Sequence, residues 1–222
     1  MQIEVPCTVA TLPPKRTTPG GEPTISSPVM PERAALDECL FRSRVVTVFG
    51  EIKETLAEDV VRRLLALDAE SREPIQMWVC SPGGHLESGD AIHDVVRFID
   101  APVYMIGSGW VGSAATHLYL AADRTRRFCL PQTRFLIHQP SGGAGGPATD
   151  VSIQAREIIR ARERIARTIA EQTDQPLDTV MLDIERDRWL SASEAVQYGL
   201  LACVITRRSD LPQPAATQRE PS

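Results

Sequence analysis

The segment IQMWVCSPGGHLESGDAIHDVVRFI, residues 75–99, sets the fold class of this chain. It opens with a continuous apolar run, Ile75 to Cys80, of the kind found in a parallel strand buried on both faces. Residues 81–84 (SPGG) end the run, and a helical pattern follows from Ser88 to Ile99. The apolar positions that share one face of this helix are Ala91, Ile92, Val95, Val96 and Ile99. A buried strand, a glycine turn and an amphipathic helix together predict an α/β unit.

Apolar runs and helical patterns alternate along the chain on both sides of this unit. The other predicted strands are Val45–Phe49, Val103–Ile106, Arg127–Cys129, Arg134–Ile137 and Leu200–Ile205. Thr55 with Glu58, and Ser191 with Glu194, have the spacing of capping boxes that begin helices. This alternation, with short connections, is typical of an α/β domain whose helices cover both faces of the sheet.

The longest helical pattern extends from Thr149 to Gln172. Its apolar stripe is narrow, and charged residues cover the other faces; the stripe consists of Val151, Ala155, Ile158, Ile165 and Ile169. About seven turns are more than a small core needs, which favours a helix that projects and packs against a partner chain. The alternative is a solvated surface helix.

Composition limits the classes of protein to consider. The chain has 222 residues, 42% hydrophobic and 24% charged, which suits one sizeable domain. A net charge of −5 without any Lys/Arg block argues against a nucleic-acid partner. No apolar run is long enough to predict a membrane span. The five cysteines form no CxxC pair, which argues against a zinc site and fits a reducing, cytoplasmic setting.

The two ends of the chain differ from its middle in composition. Residues 1–30 are rich in Pro, Thr, Ser and Gly without a sustained period, which predicts a flexible arm. Residues 209–222 have the same character and predict a disordered tail. The folded unit is therefore expected between residues 31 and 208.

Ser113 lies in the segment GWVGSAATHLYLAAD, residues 109–123, and allows two interpretations. It is either a small residue in a closely packed helix or a nucleophile at the start of that helix. A nucleophilic serine needs a base and an orienting acid. His138 ends the predicted strand RFLIH, and α/β proteins place functional side chains at the carboxyl ends of their strands. Its residue type alone also fits a structural histidine. Val111 and Ala115 replace the glycines of a GxSxG elbow, which argues against an α/β-hydrolase.

Five segments, in order, resemble the ClpP family of serine peptidases, the proteolytic subunits of the Clp protease. They are the glycine motif SPGG (81–84), the nucleophile segment GWVGSAAT (109–116), the base segment LPQTRFLIHQPSGGAGGPATD (130–150), the handle helix AREIIRARERIARTIAEQTDQPLD (155–178) and the acid segment ERDRWLSASEAVQYGL (185–200). The resemblance implies a layered βαβ superhelical core of the ClpP/crotonase type. It also implies a projecting handle at about residues 141–172, with SGGAGGPATD as its strand-like base.

The resemblance assigns a role to each matching position. Ser113 corresponds to the nucleophile, His138 to the general base and Asp187 to the orienting acid. The backbone N–H groups of Gly84 and Ala114 correspond to the oxyanion hole. This chemistry needs no metal and no organic cofactor. Activity is expected to rise with pH as His138 loses its proton.

The family also implies an assembly. Its members stack two seven-membered rings through their handle helices, enclose a chamber that degrades unfolded polypeptides, and receive substrate from an AAA+ unfoldase. Arg186 is expected to pair with an acid of a neighbouring subunit. The Pro-rich arm replaces the family's axial-loop segment, which leaves unfoldase docking open.

Other departures suggest a divergent paralogue, which could share a ring with a second ClpP-type subunit. Trp110 is bulkier than the residue that the family has at this position. It either fills space in the core, which we favour, or reshapes the pocket beside the nucleophile. His85 and Glu87 add polar groups after the glycines.

Three other functions are compatible with parts of the sequence. A catalytically weak ring subunit acting in assembly is the main rival. A crotonase-type acyl-CoA enzyme would not need Ser113, His138 and Asp187 together. A signal-peptide-peptidase-like enzyme would use a lysine base, and no lysine follows Lys53.

Overall fold

A mainly parallel sheet runs through the computed structural model, which describes residues 31–143 and 145–212. Its strands within these residues are β1 (Val45–Phe49), β2 (Ile75–Ser81), β3 (Val103–Gly112), β4 (Arg127–Cys129), β5 (Arg134–Ile137), β6 (Arg188–Ser191) and β7 (Cys203–Val204). The helices are α1 (Pro31–Arg42), α2 (Glu54–Glu70), α3 (Leu86–Phe98), α4 (Ala114–Tyr119), α5 (Ala148–Thr173), α6 (Leu177–Asp183) and α7 (Ala192–Tyr198). The predicted α/β class is confirmed.

The sheet has a main part and a branch. The main part has the order β1-β2-β3-β4-β7, and every neighbouring pair in it is parallel. The first half of β3 pairs with β4, whereas its last three residues pair with β5. β6 then adds to β5 in the antiparallel sense. The branch therefore begins where β3 approaches Ser113.

The core lies between one face of the main sheet and its helices. α2 buries Ala57, Val60, Leu64 and Leu67, and β2 buries every second residue from Ile75 to Ser81. This alternation differs from a strand buried equally on both faces, since the other side of β2 is only partly covered. Burying such aliphatic side chains stabilises the fold by about 1.5–3 kcal/mol each.

Several element ends differ from the prediction. β3 continues six residues beyond Ile106, because the extra residues find a partner in β5. The last predicted strand shortens to Cys203–Val204, since Leu200 and Leu201 are buried side chains of the core. The Ser191–Glu194 capping box is confirmed.

The capping box predicted at Thr55 and Glu58 is wrong. Ile52 forms a parallel bridge to Gly84, which keeps the chain extended up to Lys53. The helix α2 therefore begins at Glu54, and both predicted capping residues lie inside it.

α5 is the long helix predicted from the narrow apolar stripe. Only its C-terminal half is buried, through Ile165, Ala166, Ile169 and Thr173, whereas Ile153 and Ile159 are exposed. The N-terminal half therefore projects from the rest of the chain. Residues 141–143 and 145, expected as a strand-like base, have no regular structure.

The folded unit extends slightly beyond the predicted boundary at residue 208. A 3₁₀ turn spans Arg208–Asp210, and Leu211 packs in a small cluster with Ile106, Phe128 and Ile205. The predicted arm, residues 1–30, and residues 213–222 of the predicted tail lie outside the described residues. Within residues 31–143 and 145–212, no helix combines the length and the hydrophobicity that a membrane crossing needs.

Candidate active site

The strand register brings three distant chain positions to one point. Ser113 follows the last residue of β3, which pairs with Leu136 near the end of β5. His138 follows the last residue of β5, which pairs with the first residue of the antiparallel β6. Asp187 directly precedes β6 and therefore lies opposite His138. Sheet pairing alone thus places a hydroxyl, an imidazole and a carboxylate side by side.

The three side chains form a continuous hydrogen-bonded series. Nε2 of His138 lies 2.7 Å from Oγ of Ser113, and Nδ1 of His138 lies 3.1 Å from Oδ1 of Asp187. The imidazole is mostly covered, whereas the Asp187 side chain is 64% exposed in the single chain. In this series each ring nitrogen faces a different partner, which fixes the orientation of the ring.

The backbone of Ser113 is strained. Its φ of 56° lies in the left-handed region, which residues other than glycine seldom adopt. Such outliers cost about 1–3 kcal/mol and persist where the surrounding structure holds them. Here the Ser113 N–H donates to the Leu136 carbonyl at 3.0 Å, and the Thr116 hydroxyl contacts the carbonyls of Val111 and Leu136. No sequence pattern distinguishes Thr116, because a threonine in a short helix has no characteristic spacing.

The glycine pair after β2 packs directly against this turn. A Cβ at Gly83 would lie 2.7 Å from both the Gly112 carbonyl and the Ser113 Cβ, and φ is +97°. A Cβ at Gly84, where φ is +151°, would lie 2.4 Å from the Ile52 carbonyl oxygen. Only glycine fits either position, so the atoms of this loop that lie next to Ser113 belong to the backbone and not to a side chain. Gly84 and Ala114 both line the cavity in front of Ser113.

That cavity has a volume of about 570 Å³ and lies between the glycine loop and α5. Ser113 and His138 open into it, and α5 contributes apolar side chains such as Ile158 and Ile165. The size suits a few side chains of a peptide. These lining residues of α5 were not predicted as part of the site.

The two unusual residues after the glycines lie at this cavity. Nε2 of His85 lies 3.2 Å from a carboxylate oxygen of Glu87, and Nδ1 of His85 lies 2.9 Å from the Ser88 hydroxyl. Glu157 of α5 is a second carboxylate in the lining. The described lining residues include two carboxylates and no lysine or arginine, so the lining has a negative formal charge, of which the Glu157 share is offset by Arg160, 2.6 Å away and outside the lining.

Trp110 does not reach this cavity. It stacks on Trp189 of β6 with a centroid separation of 5.7 Å, and the guanidinium of Arg134 lies 4.8 Å from the Trp189 ring. The two rings join β3 to the branch across β5. Within the described residues, no cluster of His, Cys, Asp or Glu is arranged to hold a metal ion.

Comparison with known proteins identifies the family. The Clp protease family model matches residues 32–208. The chain is 54% identical over 172 residues to the ATP-dependent Clp protease proteolytic subunit 3 of Rhizobium etli, covering 78% of this chain and 89% of that protein. It is 50% identical over 190 residues to proteolytic subunit 2 of Gluconobacter oxydans, covering 85% and 83%. The chain belongs to the Clp protease family.

A solved structure supports the same conclusion at the level of the fold. A ClpP1 variant from Listeria monocytogenes superposes with a TM-score of 0.74 at 46% identity, covering 78% of this chain and 98% of that one. The predicted ClpP fold and the predicted family are therefore confirmed. As a member of the Clp protease family, the chain is a protease subunit of the ClpP type.

Proposed function

We propose that this chain is the serine endopeptidase subunit of a compartmentalised Clp-type protease, with Ser113, His138 and Asp187 as its catalytic residues. The observation that supports this proposal is the hydrogen-bonded series from Ser113 through His138 to Asp187. The cavity beside it, with apolar walls and glycine backbone at its edge, provides room for a peptide.

The first half of the reaction forms an acyl-enzyme. Oγ of Ser113 attacks the peptide carbonyl carbon while Nε2 of His138 takes the hydroxyl proton. The carbonyl π electrons move to the oxygen, where the N–H groups of Gly84 and Ala114 stabilise the negative charge. The intermediate then collapses, and the C–N bond breaks as His138 donates its proton to the leaving amine. Asp187 holds the ring and stabilises the imidazolium.

The second half restores the enzyme. His138 removes a proton from a water molecule, whose oxygen attacks the ester carbonyl of acylated Ser113. Collapse releases the carboxylic acid product, and Ser113 regains its proton from His138. No group outside the chain and water is needed for atoms and charge to balance.

The assembly proposed for the subunit follows from its exposed features. The projecting half of α5 exposes Ile159, which suits contact with other copies in two stacked rings, whereas the exposed Ile153 faces the cavity in front of Ser113. Arg186 is exposed and makes no ion pair within the described part of its own chain, which suits pairing across the ring. A polypeptide substrate would lie beside residues 139–143 in extended form. The relatives are named as subunits of an ATP-dependent protease, which supports delivery of the substrate by an unfoldase. The proposed location of the particle is the cytoplasm.

The test of this function is covalent labelling. A fluorophosphonate probe should modify Ser113 in the assembled particle, which a mass shift on the Ser113 peptide would identify, and Ser113→Ala should not be labelled. The oligomer mass is measured in the same samples. An assembled particle that the probe never labels would contradict the catalytic role and favour a subunit that acts only in assembly.

A prediction on substrates follows from the acidic cavity. Peptides with a lysine beside the scissile bond should be cleaved about 2–5-fold faster, in kcat/KM, than matched peptides with a glutamate there, because exposed charge pairs contribute up to about 1 kcal/mol. Glu87→Gln should reduce this preference and added salt should weaken it. Glu163→Gln is the matched control, since Glu163 lies on α5 outside this cavity. Equal rates for the two peptides would contradict the prediction.

A further inference from the structure

A buried polar cluster lies behind the nucleophile, outside the residues already described. Nε2 of His117 on α4 lies 3.0 Å from Oδ1 of Asp90 on α3, and Oδ2 of Asp90 lies 2.5 Å from a guanidinium nitrogen of Arg164 on α5. Three helices are therefore joined through one carboxylate. The His117 ring also stacks on His93 at a centroid separation of 4.6 Å.

Two members of this cluster are shielded from water and one is not. The His117 side chain is 5% exposed and the Asp90 side chain 23% exposed, so the contact between them is weakly screened. The Arg164 side chain is 53% exposed and reaches Asp90 from the solvent side. Burial by itself would raise the pKa of the Asp90 carboxyl, but the contact with His117 and the charge of Arg164 lower it below the ordinary value. Asp90 is therefore a carboxylate that two partners hold in place.

The contact between His117 and Asp90 is electrostatic. Among the described residues, neither Nδ1 of His117 nor Oδ1 of Asp90 has a hydrogen-bond partner, so the 3.0 Å approach of His117 Nε2 to Asp90 Oδ1 brings the two groups together without an aligned hydrogen bond. The hydrogen bond of this cluster is the one that the Arg164 guanidinium donates to Oδ2 of Asp90. The stacked His93 does not belong to the predicted apolar face of α3, yet its side chain is mostly covered, and burial together with the neighbouring His117 lowers its pKa.

His117 is one helical turn after the nucleophile. Its backbone N–H donates to the Ser113 carbonyl at 3.2 Å, so Ser113 and His117 are the two ends of the first turn of α4. Gly89, next to Asp90, packs closely against the same turn, since a Cβ there would lie 3.3 Å from the Ala114 Cβ. A shift of Asp90 would therefore displace the turn that holds Ser113.

Arg164 connects the same carboxylate to the projecting helix. Its neighbour Ile165 and Ala161, one turn earlier, line the cavity in front of Ser113. The position of α5 is thus transmitted both to the wall of the cavity and, through Asp90, to the turn behind the nucleophile.

We propose that Arg164, Asp90 and His117 form a positioning network that holds the first turn of α4 in the geometry required for attack by Ser113. None of the three touches the reacting atoms; each acts through Ser113. This inference rests on the proposed function of the Ser113 site, and it adds a reason why the reactive geometry depends on the placement of α5.

The network is tested by kinetics of assembled particles. Asp90→Asn and Arg164→Gln should each lower kcat about 10–100-fold with KM changed less than about twofold, because a displacement near 1 Å at the nucleophile slows chemistry without removing substrate contacts. Arg164→Lys, which keeps the charge, should recover most of the rate. Arg167→Gln is the matched control, an exposed arginine on the same helix, and should leave kcat within about twofold of wild type.

Crystal structures of Asp90→Asn and Arg164→Gln give a second readout that does not depend on turnover. The distance from Ser113 Oγ to His138 Nε2, 2.7 Å in the wild type, should exceed about 3.5 Å in both variants. Wild-type kcat in both variants, or an unchanged distance, would overturn the network. A wild-type particle that a fluorophosphonate never labels would instead overturn the proposed function, and the measured distance would still decide the network.

Discussion

Replacing Asp187 with asparagine should lower kcat by about 10⁴-fold, with the particle still assembled. An asparagine keeps the size of the side chain but loses the charge that stabilises the imidazolium. Its amide can also donate to Nδ1 of His138, which would move the ring proton to Nε2 and remove the acceptor that Ser113 needs. The measurement is hydrolysis of a fluorogenic peptide at substrate saturation.

The matched control for this change is Asp178→Asn. Asp178 is an exposed carboxylate in the first turn of α6, and its loss should leave kcat within about twofold of wild type, since surface changes of this kind have small effects. The particle mass of both variants should equal that of the wild type. A loss of less than about tenfold for Asp187→Asn would show that another group orients His138.

Replacing Gly84 with alanine should remove activity and lower the free energy of unfolding by roughly 2–6 kcal/mol. A Cβ at this position would lie 2.4 Å from the Ile52 carbonyl oxygen and 2.8 Å from the Ile52 nitrogen. Both atoms are backbone and cannot move aside without breaking the bridge to the glycine loop. The φ of +151° adds a conformation that alanine avoids, so steric overlap and backbone strain act together. Denaturant unfolding and peptide hydrolysis measure the two effects.

Gly145→Ala provides the control for the loss of glycine flexibility. Among the residues that the structure describes, nothing lies within 4 Å of a Cβ at Gly145, and the residue has no left-handed φ. Its replacement should change the free energy of unfolding by less than about 0.5 kcal/mol. If Gly84→Ala proved equally harmless, the close contact between the glycine loop and Ile52 would be wrong.

Much of the fold was predictable because its signals are local. The buried run at Ile75–Cys80 and the periodic helix after it specify a strand and a helix without reference to the rest of the chain. The narrow stripe of α5 predicted a helix that the core covers only in part. Ser191 and Glu194 identified a helix start through their own hydrogen bonds.

Features that depend on distant partners were not predictable in this way. The extension of β3 exists because β5 pairs with it, and no pattern within residues 107–112 indicates that partner. Asp187 has no local signature among the many acids of the chain, and only the family resemblance singled it out. Its place beside His138 follows from the antiparallel register of β6 on β5.

Buried polar contacts were the hardest to foresee. Asp90 and His93 follow a helical pattern in which both read as surface residues. The structure brings them against His117 and Arg164, because α4 packs on α3 and the Arg164 side chain reaches Asp90 from α5. Residue type and period do not encode which helices will meet.

The forked sheet attaches two of the three proposed catalytic residues to one part of the core. β5 and β6 are joined to the remaining strands through three residue pairs at the end of β3, and the base and the acid are both attached to that fork. Detaching β5 and β6 would separate His138 and Asp187 from Ser113, while β1, β2, β3, β4 and β7 could stay paired. Because Phe135, Ile137 and Leu190 of the fork are buried in the main core, its detachment would expose apolar side chains, so the chemistry of Ser113 and the packing on this side of the molecule would be lost together.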